Sequence, residues 1–274
     1  MATEKEILKF YKDSIEITFY PNSHQYKLNG ENIDSASRVS GILDKSQALL
    51  PWAKNSMAED LILKGTGQIV DIKKVLKGDQ FLNREDTMQL TVEDVIDSIN
   101  ASDKLKDKAC DVGSTVHGYA EEYGKAMIKL QLPPIVDFEN LSDQAKSGIN
   151  AFQNFVLVNN VDFIECEKRL YSKELNIVGI TDVIAIVNDR KLIIDYKTAK
   201  YVYDEHKIQG CIYRKAYIEE YGENVGVGIA HFDKETGEFG FYELSPREID
   251  LYTIQAVNLN NALKTKKLID NLNK

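Results

Sequence analysis

Two apolar runs joined by a short polar turn, within Val178–Lys200 (VGITDVIAIVNDRKLIIDYKTAK), constrain the fold more than any other stretch. Each has the length and β-branched content of a strand, and each is apolar on both faces, as strands in the middle of a sheet are. Asp182 interrupts the first run, and Asp195 and Lys197 close the second. A carboxylate in such a place is costly unless it is paired or holds a cation. Side chains alternate along a strand, so Asp195 and Lys197 are expected on one face, with Tyr196 on the other. Two acids and a lysine converging at a sheet end suggest a metal-dependent phosphodiester site.

The flanking sequence supplies helices and more strands. Residues 15–30 alternate apolar and polar side chains around Pro21-Asn22-Ser23 and read as a hairpin. Ser35 or Ser37 is placed to cap a short helix, and Pro51 to open the next in its first turn. Trp52, the single tryptophan, reads first as a core anchor and second as a base-stacking platform. Short helices and loops are expected over 68–90, and Thr91–Asp94 resembles a capping box. A long helix is expected from about Asp103 to Leu130, with Gly113 inside it as the mark of a kink or of a close approach of ligand. His117 and Glu121, four apart, share a face of that helix.

After Pro133-Pro134 an amphipathic helix is expected, with Ile149, Phe152, Phe155 and Val156 inward. Strands at about 162–172, 177–188 and 190–197 follow, then a helix at about 204–221. A hairpin turning at Glu235-Thr236-Gly237 and a terminal helix from Pro246 complete the chain. No linker or repeat interrupts it, so 1–274 is expected to be a single α/β domain. Within it, 1–100 would be an N-terminal hairpin and helical region, and 101–274 the core.

Composition excludes some classes. The 274 residues are 43% hydrophobic and 28% charged, as in ordinary globular proteins. No run approaches the roughly 18 apolar residues that span a bilayer, and the charged N-terminus is unlike a signal peptide, so a cytoplasmic location without membrane partners is expected. Cys110, Cys166 and Cys211 are odd in number and far apart; they read as small buried residues rather than disulfides or a metal knuckle. The net charge of −9 argues against a general nucleic-acid coat but allows a local basic groove.

Phosphodiester hydrolysis needs a water nucleophile, charge stabilisation on the phosphate and help for the leaving oxygen, which carboxylate-held divalent ions can supply. Magnesium favours hard oxygen ligands, so Asp182, Asp195 and the backbone carbonyl of Tyr196 are candidate ligands. Lys197 would orient or help deprotonate the attacking water and offset phosphate charge. Just beyond it, Lys200 is placed either to touch a phosphate or to sit solvated.

The order of elements is more specific than any piece. Gly179-Ile180-Thr181-Asp182, then Asp195-Tyr196-Lys197, then Gln209-Gly210-Cys211-Ile212-Tyr213 on the next helix resembles the PD-(D/E)xK nuclease superfamily, in its RecB-like exonuclease branch. Glu167 matches an acid on the preceding strand. Gly113-Ser114-Thr115-Val116-His117 resembles the branch's G-T-x-x-H helix, with Ser114 in the threonine place. Thr181 stands where many members carry proline. The N-terminal HQYKLNG, SASRVSGIL and LLPWAK segments are similar to phage exonucleases and to mitochondrial genome maintenance exonucleases, in which helices before the core guide single strands.

The resemblance implies a restriction-endonuclease-like core with a central mixed β-sheet flanked by helices. It implies a magnesium- or manganese-dependent DNA exonuclease acting on single strands or ends and leaving 5′-phosphates. His117 would join Asp182 and Asp195 at the metal, with Glu121 and Glu167 as supporting neighbours. Lys197 would be the catalytic lysine, and Gln209 and Tyr213 would support it and contact DNA. Three scattered cysteines leave no place for an iron–sulfur cluster, and no GxxxxGK[ST] loop occurs for unwinding. Two alternatives stand beside this: a lambda-type double-strand exonuclease working with an annealing protein, and a non-catalytic DNA-binding or assembly protein that keeps the fold. A phage recombination or replication setting, with annealing or replication proteins as partners, fits the resemblance.

Overall fold

The computed structural model describes residues 5–43, 46–77, 79–80 and 90–272. The chain divides into two compact units, one formed by Met1–Leu43 with Gly113–Lys274 and the other by Asp44–Val112. The first hundred residues, expected as one N-terminal region, are therefore shared between the two.

The larger unit is a mixed, largely antiparallel sheet flanked by helices. Four short antiparallel strands open it: β1 (Glu6–Phe10), β2 (Ile15–Tyr20), β3 (Gln25–Leu28) and β4 (Glu31–Ser35). The expected hairpin is β2–β3, and β1 and β4 extend it on both sides. A five-residue helix, α1 (Ala36–Ser40), follows at once, capped by Ser35, whose hydroxyl accepts from Arg38 N. Asp34, buried at the end of β4, pairs with Lys267 at 2.7 Å and Arg38 at 3.4 Å.

The centre of the sheet is β5 (Asp162–Ser172), β6 (Ile177–Val187), β7 (Arg190–Lys197), β8 (Gly226–Phe232) and β9 (Phe239–Glu243). β5 lies along one edge of β6 over nearly its whole length. The other edge of β6 is divided. Residues 183–187 pair antiparallel with β7, whereas Ile177 and Val178 pair parallel with Asp34 and Ser35 of β4. Between these partners, residues 179–182 lie where the sheet forks, and the ends of β4 and β7 converge on that gap.

Four helices cover the sheet: α5 (Ala101–Ile128), α6 (Asp143–Val158), α7 (Asp204–Tyr221) and α8 (Pro246–Leu272). On one side Val116 and Ala120 of α5 and Ile149, Phe152 and Phe155 of α6 pack against Val183, Ala185, Leu192, Ile194, Tyr196 and Phe232. On the other, Ile208, Ile212, Tyr213 and Ala216 of α7, with Ala256 of α8, pack against Leu170, Ile177, Ile184 and Ile193. Tyr196 and Ile193 thus face opposite layers, as alternation requires. Burying this many apolar side chains on two faces is the main source of the unit's stability.

The smaller unit holds α2 (Ser46–Thr66), α3 (Ile72–Lys77), α4 (Val92–Ile99) and the first turns of α5. Thr91 caps α4 in a full capping box: its hydroxyl accepts from Asp94 N, and the Asp94 carboxylate accepts from Thr91 N. α2 begins five residues before Pro51, so the proline sits inside the helix and not in its first turn. Trp52 is 41% exposed, which overturns its reading as a core anchor. The remaining expected loop positions, residue 78 and 81–89, lie outside the described residues. Of the three cysteines only Cys211 is buried; Cys166 is half-buried and Cys110 exposed, against the expectation that all three fill the core.

Candidate active site

The fork in the sheet places the acids. The flanking β5–β6 pairs, Cys166 with Val183 and Lys168 with Thr181, set Glu167 opposite Asp182. The β6–β7 ladder ends at Val183 with Ile194, and the same register carries on to Asp182 opposite Asp195. Glu167, Asp182 and Asp195 therefore form one row across three neighbouring strands. Regular pairing lapses in this row. Asp182 Oδ2 accepts from Tyr196 N at 2.6 Å, taking the place of a ladder bond. Glu167 has φ +52°, a left-handed conformation that costs a non-glycine residue energy and is held by its surroundings. The odd-numbered residues of β6 also change faces here: Ile177 packs toward α7, and Val183 toward α5 and α6.

Helix α5 brings a second line of groups. His117, Glu121 and Lys125, spaced four apart, share one face. His117 Nδ1 lies 3.3 Å from Asp182 Oδ1. Glu121 pairs with Lys125, and both act electrostatically on Glu167 and Cys166. Lys125 was not singled out from the sequence, although a glutamate four residues before a lysine on one helix is the usual signal for such a pair. Gly113 lets α5 approach the end of β7: a Cβ there would sit 3.1 Å from Thr198 Oγ1.

Lys197 Nζ lies 2.5 Å from Asp195 Oδ2, a close ion pair that compensates the charge of this buried oxygen. On α7, Gln209 Nε2 donates to Tyr213 Oη at 2.6 Å. The Tyr213 ring lies over Gly179, where a Cβ would be 2.4 Å from its Cε1. The glycine of Gly-x-x-Asp and the tyrosine of Gln-x-x-x-Tyr thus belong to one contact, and only a residue without a side chain fits beneath the ring.

The charges are unbalanced. Among the described residues, four carboxylates, Glu121, Glu167, Asp182 and Asp195, share Lys125, Lys197 and His117. Burial pushes Asp195 up to about 6, with Asp182 adding to the rise and Lys197 opposing it. Burial, then Asp182 and Glu121, push Glu167 up to about 7. Burial works against the charged form of Asp182 too, but His117, Lys197 and the Tyr196 amide outweigh it and hold the carboxyl below its usual range. Burial would also lower His117 and Lys197, yet the neighbouring acids raise both. Lys197 is therefore an ammonium at neutral pH.

Among the described residues, no three His, Cys, Asp or Glu side chains converge as a ready-made cation cage. The inward oxygens of Asp182 and Asp195 are turned to His117, the Tyr196 amide and Lys197. The donor set nevertheless suits a hard divalent cation: two carboxylates in one row, and acids whose ionisation is suppressed by burial and by one another's charge. The structure thus brings together His117, Glu121, Glu167, Asp182, Asp195 and Lys197, with Gln209 and Tyr213 beside them. Lys200 is exposed on the loop after β7, and Trp52 belongs to the other unit. No family model matches the chain, and no curated protein shows significant similarity to it.

Proposed function

We propose that this chain is a divalent-metal-dependent deoxyribonuclease of the PD-(D/E)xK type, in the RecB-like branch, acting as an exonuclease on single strands or DNA ends. The observation that carries the reading is the row Glu167–Asp182–Asp195, closed by Lys197, at the fork where β6 changes partners. Buried acids in a lapsed stretch of sheet cost stability, and a cation in contact with phosphate gives them a use.

Asp182 and Asp195, with the Tyr196 carbonyl, would hold magnesium, and His117 would either join them or keep Asp182 ionised. Bound there, magnesium supplies Lewis-acid stabilisation of the phosphate and a more acidic water. The protein's own groups divide the remaining tasks. Lys197, kept protonated by Asp195 and Asp182, offsets phosphate charge and orients the attacking water; as an ammonium it has no lone pair with which to act as a base. Asp182, held ionised, fixes the end of β7 through the Tyr196 amide. Gln209 and Tyr213 set the α7 wall of the site, where the buried Tyr213 hydroxyl stays neutral because burial raises its pKa well above the usual value. No described helix is long and apolar enough to cross a membrane. Annealing or replication proteins would be the fitting partners.

The test is cleavage of end-labelled linear single strands, linear duplex and closed circular single strands, with magnesium or with EDTA. Magnesium-dependent loss of linear DNA with circles intact is expected, and Asp195→Asn and Lys197→Ala should each slow it about 100-fold or more. If either variant cleaves as fast as the parent, the site is wrongly assigned; nicked circles would make the enzyme an endonuclease.

A further inference from the structure

We propose that Tyr201 and Tyr203 form a stacking platform for unpaired bases, which selects single-stranded nucleic acid for the site beside it. The proposal rests on the nuclease reading of that site and adds the feature that would choose its substrate.

Both tyrosines lie on the loop between β7 and α7, four and six residues after Lys197. The loop is pinned at both ends. His231 Nε2 donates to Ala199 O at 2.5 Å, and Tyr203 N donates to His206 Nδ1 at 3.2 Å. Thr198, at its start, abuts Gly113 of α5. A pinned loop would ordinarily turn aromatic rings inward, because burying them is favourable. Here Tyr201 is 58% exposed and Tyr203 44% exposed. The rings meet edge to face at 6.2 Å, Tyr203 meets His206 edge to face at 5.5 Å, and Lys200 Nζ lies 5.7 Å from the Tyr201 ring centre. Tyr203 is thus held from behind by a buried histidine, while both rings keep area open to solvent.

The local charge favours bases over phosphates as the group recognised. Asp204 and Glu205 begin α7 immediately after Tyr203, and Lys200 is the nearest cation on the loop. A polyanion gains little here from charge alone, so affinity must come from the ring faces. Base–aromatic stacking supplies it and tolerates any sequence, since every base has a π-face. In a duplex those faces are covered by neighbouring base pairs; in a single strand they are open. The chain offers a local signal for this, Lys-Tyr-Val-Tyr, in which the alternate rings follow a lysine.

The experiment measures binding of the full chain, in EDTA, to three fluorescent oligomers of one length: a base-bearing single strand, an abasic strand and a duplex. Tyr201→Ala and Tyr203→Ala should each weaken the base-bearing strand about tenfold and the abasic strand less than about twofold. Tyr201→Phe and Tyr203→Phe should keep parental affinity, and Tyr242→Ala, an exposed tyrosine on β9, should change nothing. Equal losses on base-bearing and abasic strands, no loss at all, or a parent that binds none of the oligomers would overturn the platform. Magnesium-dependent cleavage is scored in parallel. A parent that cleaves while its alanine variants keep their affinity refutes the platform alone. A parent that shows base-dependent binding without cleavage refutes the nuclease reading and leaves the platform standing.

Discussion

The contact between Gly179 and Tyr213 makes the sharpest quantitative test of how the site is built. In Gly179→Ala the new methyl would lie 2.4 Å from Tyr213 Cε1, 3.0 Å from its Cδ1 and 3.1 Å from the Ala36 Cβ. The first distance is about 1 Å inside the roughly 3.5 Å of favourable carbon–carbon contact. Tyr213 has little room to yield, since it is buried among Ile212, Ala216 and Leu170 and accepts a hydrogen bond from Gln209. Overpacking of this kind costs about 1–3 kcal/mol, and three simultaneous contacts place Gly179→Ala near 2–3. Urea unfolding followed by the near-UV circular dichroism of tyrosine reports the larger unit, which holds every tyrosine of the chain, whereas fluorescence of Trp52 reports the smaller one. The circular dichroism transition should move and the tryptophan transition should not. Tyr213→Leu removes the atoms that clash, so it should cost at least about 1 kcal/mol less in the Gly179→Ala background than in the parent. A Gly179→Ala change under about 0.5 kcal/mol, or additivity of the two substitutions within about 0.4, would refute this account of the motif.

In metal-free buffer, magnesium should raise the melting temperature by mass action, and Asp182→Asn or Asp195→Asn should abolish the rise; differential scanning fluorimetry checks both. In EDTA the raised carboxyl groups set the sign of a pH effect. A folded pKa above the unfolded one gives stability that is present at low pH and lost as pH rises through about 6 for Asp195 and about 7 for Glu167. The melting temperature should therefore fall between pH 5 and pH 8, and Glu167→Gln should flatten that fall; an unchanged slope in the variant would show that Glu167 is not crowded. Ellman's reagent at pH 8 should modify Cys110 quickly and Cys166 and Cys211 only on unfolding, because burial raises those thiols to about 11 and about 12.

Much of the fold is written in local periodicity. The strands at 162–172 and 190–197, the helix at 204–221 and the terminal helix from Pro246 follow from alternation, capping and proline placement, because those signals act within a few residues. ENIDS, with one β-branched residue among polar ones, carries little local strand signal; it becomes β4 through pairing with β3 and β6, and its polar residue Asp34 is satisfied by Lys267, 233 positions away. Pro51 shows the limit of a local rule, since a helix that begins at Ser46 carries the proline inside it.

The site divides in the same way. The sequence by itself determined which residue types stand at 117, 167, 182, 195, 197, 209 and 213. It also determined that Asp195 and Lys197 share a face, because alternation is a property of a single strand. Only the tertiary structure decided that β6 forks between β4 and β7, that Glu167 stands opposite Asp182 in a left-handed conformation, and that Tyr213 rests on Gly179. It also decided that Lys197 is held as an ammonium, while Trp52, Tyr201 and Tyr203 stay open to solvent. Strand partners, burial and charge state depend on residues far apart in the chain, and no window of sequence contains them.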